Sequence, residues 1–403
     1  MKKFSLLIAL TLLAGGVTPC PSIANAQDDA MAEFERVWYD TCYTKKDKEK
    51  CYQQSKELVD KFPKSTYGDS AKKNIKGYER DKTLEKFETA LTAYTTSNPP
   101  DAAKLDLLFA AGDEGIKGGK VEPAVQQFFL GRMALAGASA AMGEIYKNLD
   151  KAKGYAETAL KTFESSAPPE GWKKEEWDPL RELVMTQMNQ YLGWYFTEGT
   201  KSDPNRGLEF LSKAIQIRGK EGSGWKDANN YYLRSLVYSS QYTDLRKQYD
   251  SLPTDADKTG DPGKEILKKI NELLDTKLIP EYARILATAT KPENKGVYDF
   301  ARSQFDSLWE YRTGAKEKAA DYIKNYTADP SIPPAAVPAK AEDTSNLNAP
   351  AAPVVGPGNL KLSTSPTPTA PGGKGAANGN GGKAAPAKGK AKSTPKSKKR
   401  GRG

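Results

Sequence analysis

Across 403 residues the chain has no histidine, three cysteines and a formal net charge of +10, from 61 basic and 51 acidic side chains. Without histidine, neither a Ser-His-Asp triad nor a Cys-His pair can be built within the chain, and the commonest metal ligand is missing. The charge is uneven: residues 344–403 hold eleven basic and no acidic side chains, the first 26 residues hold two lysines, and residues 27–343 are left with 48 basic against 51 acidic, a net of −3. The body is therefore not a basic nucleic-acid platform, whereas the C-terminus is a polycation.

Residues 1–26 read as a secretory signal peptide. Lys2 and Lys3 supply the positive start, Phe4 to Val17 the apolar stretch, and Ala24-Asn25-Ala26 the small-x-small cleavage site before Gln27. Gly15, Gly16, Thr18, Pro19 and Pro21 break the run before the roughly 20 apolar residues that spanning requires. Lipoprotein processing at Val17-Thr18-Pro19-Cys20 is the rival, and Pro19 stands where a small residue belongs. No later segment approaches spanning length, so a soluble periplasmic or secreted chain is expected, in a compartment that permits disulfides. Cys42 and Cys51 are then natural partners, stapling two helices across the charged turn Lys45 to Lys48. Closing a loop of this size stabilises by about 2–3 kcal/mol on the chain-entropy account. A redox-active pair is the alternative reading, but the C-x-x-C spacing is absent.

Residues 30–327 show helical spacing almost throughout. Leu84, Phe87, Leu91 and Tyr94 recur at helical intervals, as do Leu208, Leu211 and Ile215, and again Ile266, Ile270, Leu273 and Leu278. Asp101 is placed to cap a helix over 102–116, Pro123 to open the next, and Pro204 and Pro280 stand at first-turn positions. Alternating strand patterns are absent. Short Gly, Pro and Asp turns between helices argue for a stack of helical hairpins, and the stretch from Pro168 to Pro179 reads as an inserted linker.

Candidate chemistry within the body is thin. Asp255, Asp257 and Gly260 imitate the start of a calcium loop, but Ile266 stands where the bidentate Glu belongs and Pro262 disturbs the turn. Gly112 to Gly115 and Lys117 to Lys120 suggest a phosphate loop, yet no Gly-Lys-Ser/Thr follows. Acidic pairs such as Glu175-Glu176 sit in lysine-rich helical settings and read as solvated faces. No catalytic residue, metal site or cofactor is assigned.

From 328 onward, proline gives way to Gly, Ala, Asn and Lys, a composition too poor in apolar residues to offset the entropy of ordering. Residues 328–403 are expected to be a disordered basic tail. Its end carries Lys388, Lys390, Lys392, Lys396, Lys398, Lys399, Arg400 and Arg402, and resembles the tails of linker histones. In an exported protein the polyanions it would meet are anionic lipid, lipopolysaccharide or wall polymer.

A second resemblance concerns the body. Leu192-Gly193-Trp194-Tyr195-Phe196, followed by Gly207, Leu211 and Ala214, resembles a tetratricopeptide repeat. Met142-Gly143-Glu144-Ile145-Tyr146 with Ala152, Ala156 and Ala159 is similar to a shorter copy. Leu58 to Tyr67, then Ser70-Ala71, resembles the junction between repeats in bacterial envelope members of that family. A further pair is placed between Trp225 and Leu252, although Arg234 and Ser235 stand where Leu and Gly belong. The resemblance implies a groove lined by Gln187, Gln190, Trp194, Thr197 and Glu198, with Ala140, Glu144, Lys147 and Asn148 equivalent in the shorter copy.

The expectation is an all-α superhelical stack of tetratricopeptide-like hairpins over 27–327, an α-solenoid, followed by the tail. It implies a noncatalytic scaffold of the bacterial envelope that binds another protein or peptide in its groove and is tethered by its tail. A helical carbohydrate-active or hydrolytic enzyme using carboxylates, and nucleic-acid binding through the tail, are the alternatives; nucleic acid is not the partner expected.

Overall fold

A computed structural model of the protein describes residues 23–165, 167–219, 224–314 and 317–340. Among them every regular element is helical. The expected leader lies outside the described residues apart from its last four, which open α1 (Ile23–Tyr39). Asp47 caps α2 (Lys48–Lys61) by accepting the Lys50 N–H at 3.1 Å. The Cys42–Cys51 disulfide closes the turn between these helices, with a Cα–Cα distance of 4.9 Å. Trp38, Leu58 and Ala71 form a small buried cluster there, and the Trp38 indole N–H donates to the Ser55 hydroxyl at 2.8 Å.

The long helix α3 (Gly68–Thr95) leads from this N-terminal unit into the main core, where Phe87 stacks on Phe129 at 3.9 Å. Asp101 caps α4 (Ala102–Lys117) through the Ala103 and Lys104 N–H groups, as its spacing predicts. Pro123 opens α5 (Pro123–Met142), which is buried on nearly every side. The Gly and Ala residues of α5 account for that position: with little side chain, its backbone can be surrounded by four neighbours, α3, α4, α6 and α7. Gly112 and Gly115, the suggested phosphate loop, lie inside α4 and let it close on Met133 and Phe129 of α5.

Hairpins then follow in series. Asn148 caps α6 (Leu149–Phe163), α7 runs Lys174–Trp194, and Asp203 caps α8 (Pro204–Gln216). Asp227 caps α9 (Ala228–Asp250). The short α10 (Asp255–Thr259) and α11 (Asp261–Leu273) lead through a wide π turn, Leu274–Leu278, into α12 (Ile279–Thr288). Pro280 lacks an N–H and would clash with the preceding turn of a regular helix; the wide turn just before it relieves both conflicts. α13 (Lys295–Thr313) ends on Gly314 in the left-handed region, and α14 (Ala319–Lys324) follows. Consecutive helices from α1 to α9 pack against one another, while α5, α7, α9 and α12 touch one another in sequence. This is the nearest-neighbour logic of a helical-hairpin array. Two large cores result, one from α3 to α7 and one from α8 to α14, and Trp194 packs against both.

Several boundaries differ from the expected ones. Residues 143–146 are not helix: α5 stops at Met142, and Glu144 takes a positive φ in the turn. The small residue that lets Ala152 of α6 approach is Gly137, whose added Cβ would lie 3.6 Å from the Ala152 Cβ. Trp225 to Leu252 is not a hairpin, because α9 runs unbroken from 228 to 250 and packs against α8, α11 and α12. Lys174 to Pro179, expected in a linker, form the first turns of α7, with Trp177 stacked on Phe163 at 4.8 Å. Most consequential, residues 329–340 do not belong to a free tail. They cross the body as an extended strap, with Ile332, Ala335 and Val337 against the second core.

Within the α7–α8 hairpin the two helices approach closely at Gly193. A Cβ added at Gly193 would lie 2.5 Å from Leu211 Cγ, so Gly193→Ala should cost about 1–3 kcal/mol in denaturant unfolding. Gly154 of α6 is exposed with nothing within 4 Å of its would-be Cβ, so Gly154→Ala should instead stabilise by about 0.5–1 kcal/mol. Replacing both Cys42 and Cys51 by Ser should remove about 2–3 kcal/mol from the N-terminal unit. The loss should be read as faster proteolysis within α1 and α2 with the melting of α4–α14 unchanged.

Candidate functional site

The groove expected on α7 is closed. Gln187, Gln190 and Thr197 are buried, and Trp194 and Glu198 are half-buried. Gln190 is only 1% exposed because α9 packs over it: its amide donates to Asp227 Oδ2 at 2.9 Å and to Asn230 Oδ1 at 3.1 Å. A π turn over Tyr195–Gly199 re-aims the residues that follow α7. Thr197 is thereby turned onto Gly207 of α8, its hydroxyl donating to the Gly193 carbonyl at 2.9 Å. Trp194 stacks on Tyr191 at 5.8 Å and sits over Gly199. Burial raises the pKa of Glu198, and Lys201 offsets this in part. Asp227, deeper still, is raised by burial in spite of the Asn229 N–H and Gln190. In the shorter copy, Ala140 is buried and Asn148 is spent capping α6. These side chains hold helices together rather than face a partner.

The tail residues Lys388, Lys390, Lys392, Lys396, Lys398, Lys399, Arg400 and Arg402 lie outside the described residues. Asp255 and Asp257 stand in α10, whose start Thr254 caps, and no cluster of cation-ligating side chains occurs among the described residues.

A different site emerges where α8, α9 and the strap meet. A cleft of about 410 Å³ is lined by Ser212, Ile215, Gln216, Arg218, Arg234 and Ser331. Its back is held by an ionic cluster anchored on Glu281 of α12, which is 1% exposed. Glu281 Oε1 accepts Arg284 Nη1 at 2.6 Å and Arg234 Nη2 at 2.9 Å. Arg284 continues outward: its Nε donates to the Pro330 carbonyl and its Nη2 to the Ile332 carbonyl, both at 2.8 Å. It also lies 5.0 Å from the Tyr326 ring centroid. One buried guanidinium thus fastens the strap to α12.

Arg218 is the outer cation. Its Nη1 donates to Asp329 Oδ2 at 2.9 Å, its Nη2 to the Ser331 hydroxyl at 2.5 Å, and its plane lies 4.7 Å from the Trp225 ring centroid. Those three contacts leave the guanidinium oriented without burying it. Burial opposes ionisation of Asp329, but the Ser331 hydroxyl and N–H together with Arg218 outweigh it and hold the carboxyl below its ordinary range. For Arg234, burial works most strongly against the charge, and the Glu281 carboxylate together with the Tyr238 and Tyr231 side chains outweighs it, so its pKa is raised. Arg234 Nε and Glu281 Oε2 are buried and make no hydrogen bond. The cluster of Arg218, Arg234, Arg284, Glu281 and Asp329 therefore carries one more positive than negative charge.

With this geometry in hand, known proteins offer no guide: no protein-family model, curated protein or solved structure matches the chain. Among the described residues, no helix is long and apolar enough to cross a membrane.

Sequence reasoning passed over the cleft because its parts are far apart: Arg218, Arg234, Glu281 and Asp329 meet only through folding. One signal was available. Glu281 and Arg284 stand one turn apart in a segment that is otherwise Ile279, Tyr282, Ala283, Ile285 and Leu286, and acid and base in a helix apolar on every side mark a buried pair.

Trp194 remains a decisive residue, now for packing. Trp194→Ala should lower stability by about 3 kcal/mol because its ring joins the two cores; a variant that melts with the parent chain would show that the ring contributes little there.

Proposed function

We propose that the protein is a noncatalytic scaffold: a helical-hairpin array that presents binding surface while its polycationic C-terminus holds it to a polyanion. The observation that carries this reading is the strap. Residues 329–340 are bound to the array by Arg284, by the Tyr322 hydroxyl donating to the Ala335 carbonyl at 3.0 Å, and by the Lys340 N–H donating to the Arg312 carbonyl at 2.9 Å. The chain that follows, with eleven basic residues and no acid after 343, is thereby secured to a body of nearly balanced charge. Residues 329–340 give the chain that follows a packed point of attachment on the array. The disulfide fits an oxidising compartment, which supports the exported location that the first 26 residues suggest. On this reading the polyanion is anionic lipid, lipopolysaccharide or wall polymer, and the array recruits another envelope protein. The resemblance to tetratricopeptide repeats supports the recruiting role; the partner's seat is not the α7 groove, which is filled.

The test is co-sedimentation with vesicles containing anionic lipid, comparing the full chain with one ended after Lys340. The full chain should bind with an affinity that falls steeply with salt, each tail cation near the surface contributing on the order of 1 kcal/mol, and the shortened chain should remain in solution. Equal binding by both, or binding indifferent to salt, would remove the tethering role.

A further inference from the structure

We infer that the cleft between α8, α9 and the strap is a binding site for a small carboxylate ligand, a role separate from tethering and independent of it. The argument rests on charge and geometry. Arg218 is held by Trp225, Asp329 and Ser331, and Arg234 by Glu281, so two oriented cationic groups line one cleft. Planar guanidinium groups with fixed orientation suit carboxylate because their paired N–H donors match its two oxygens. Arg234 lines the cleft with a side chain that is 18% exposed.

Charge balance narrows the class. Glu281 and Asp329 already neutralise two of the three guanidinium groups, leaving one positive charge, which a carboxylate monoanion cancels. A phosphate dianion would overshoot and place a second negative charge near Glu281, whose Oε2 has no donor to shield it. The remaining lining is suited to the body of a small organic acid: Ile215 offers apolar contact, and Ser212, Gln216 and Ser331 offer polar atoms. A volume of about 410 Å³ lies within the ordinary range of small-molecule sites. Because Ser331 belongs to the strap, a ligand here would touch α8, α9 and the strap together.

The experiment is thermal unfolding of the full chain with propionate or butyrate, compared with inorganic phosphate and chloride at matched ionic strength. A ligand that binds only the folded state raises the midpoint by mass action, and at about 10 mM carboxylate the expected rise is about 2 °C or more, with less from phosphate and none from chloride. Gln216→Glu is the clean variant, since Gln216 is exposed at the rim and the change adds one negative charge while leaving the strap and tail untouched. It should weaken carboxylate binding about tenfold in calorimetric titration, and Arg218→Gln should do at least as much. Retention of the carboxylate effect in Gln216→Glu would place binding elsewhere and overturn the proposal. So would stabilisation by phosphate alone, or a wild-type midpoint that no carboxylate moves.

Discussion

The carboxylate of Glu281 is the constraint on which the second half of the molecule turns. It sits in a helix otherwise made of Ile, Tyr, Ala and Leu, and one of its oxygens takes guanidinium groups from two directions. An isolated charge at that depth is expensive, and so are the two arginines without it; only together are they tolerable. Because Arg234 comes from α9 and Arg284 reaches on to the strap carbonyls, the single carboxylate ties three separate segments into one arrangement. The cleft is a consequence: its back wall is the outward side of that cluster.

The first half is organised by a different principle, close approach. α5 is surrounded because its Gly and Ala residues let neighbours come near, and aromatic pairs such as Phe87 with Phe129 and Phe163 with Trp177 fill the spaces so created. Dispersion and burial dominate there, with few charged groups inside. The boundary between the regimes runs through Trp194, beside the buried polar contacts of Gln190 with Asp227 and Asn230. A tightly packed apolar array thus passes into one where buried polar groups decide the geometry, and the candidate binding site lies in the latter. Polar groups demand specific partners in a way apolar contacts do not, which is why a site of defined chemistry arises there.

The strap changes the meaning of the C-terminus. The proline-rich segment 329–340 forms no helix of its own. It is ordered all the same, because the body supplies what it lacks: Arg284 and Tyr322 bind its carbonyl groups, and Tyr326 accepts the Ala335 N–H at 2.9 Å. Extended backbone with free donors and acceptors needs only a matching row of side chains to dock.

Helix content, most helix starts and the disulfide were legible from the chain alone, because each depends on neighbours in sequence: Asp101 two residues before the amide it caps, Pro123 and Pro204 at first turns, Cys42 nine residues from Cys51. The Gly193–Leu211 contact was legible for the same reason, lying within one hairpin. What the sequence could not determine was which faces remain open. Gln190 looks like a surface residue until α9 covers it, and the π turn after Trp194 redirects Thr197 without any proline or glycine run to announce it. The cleft belongs wholly to tertiary structure, since Arg218 and Asp329 are separated by 111 positions and Arg234 and Glu281 by two intervening helices. Local rules decide where helices begin; only packing between distant helices decides which charges are buried together and which cleft they leave between them.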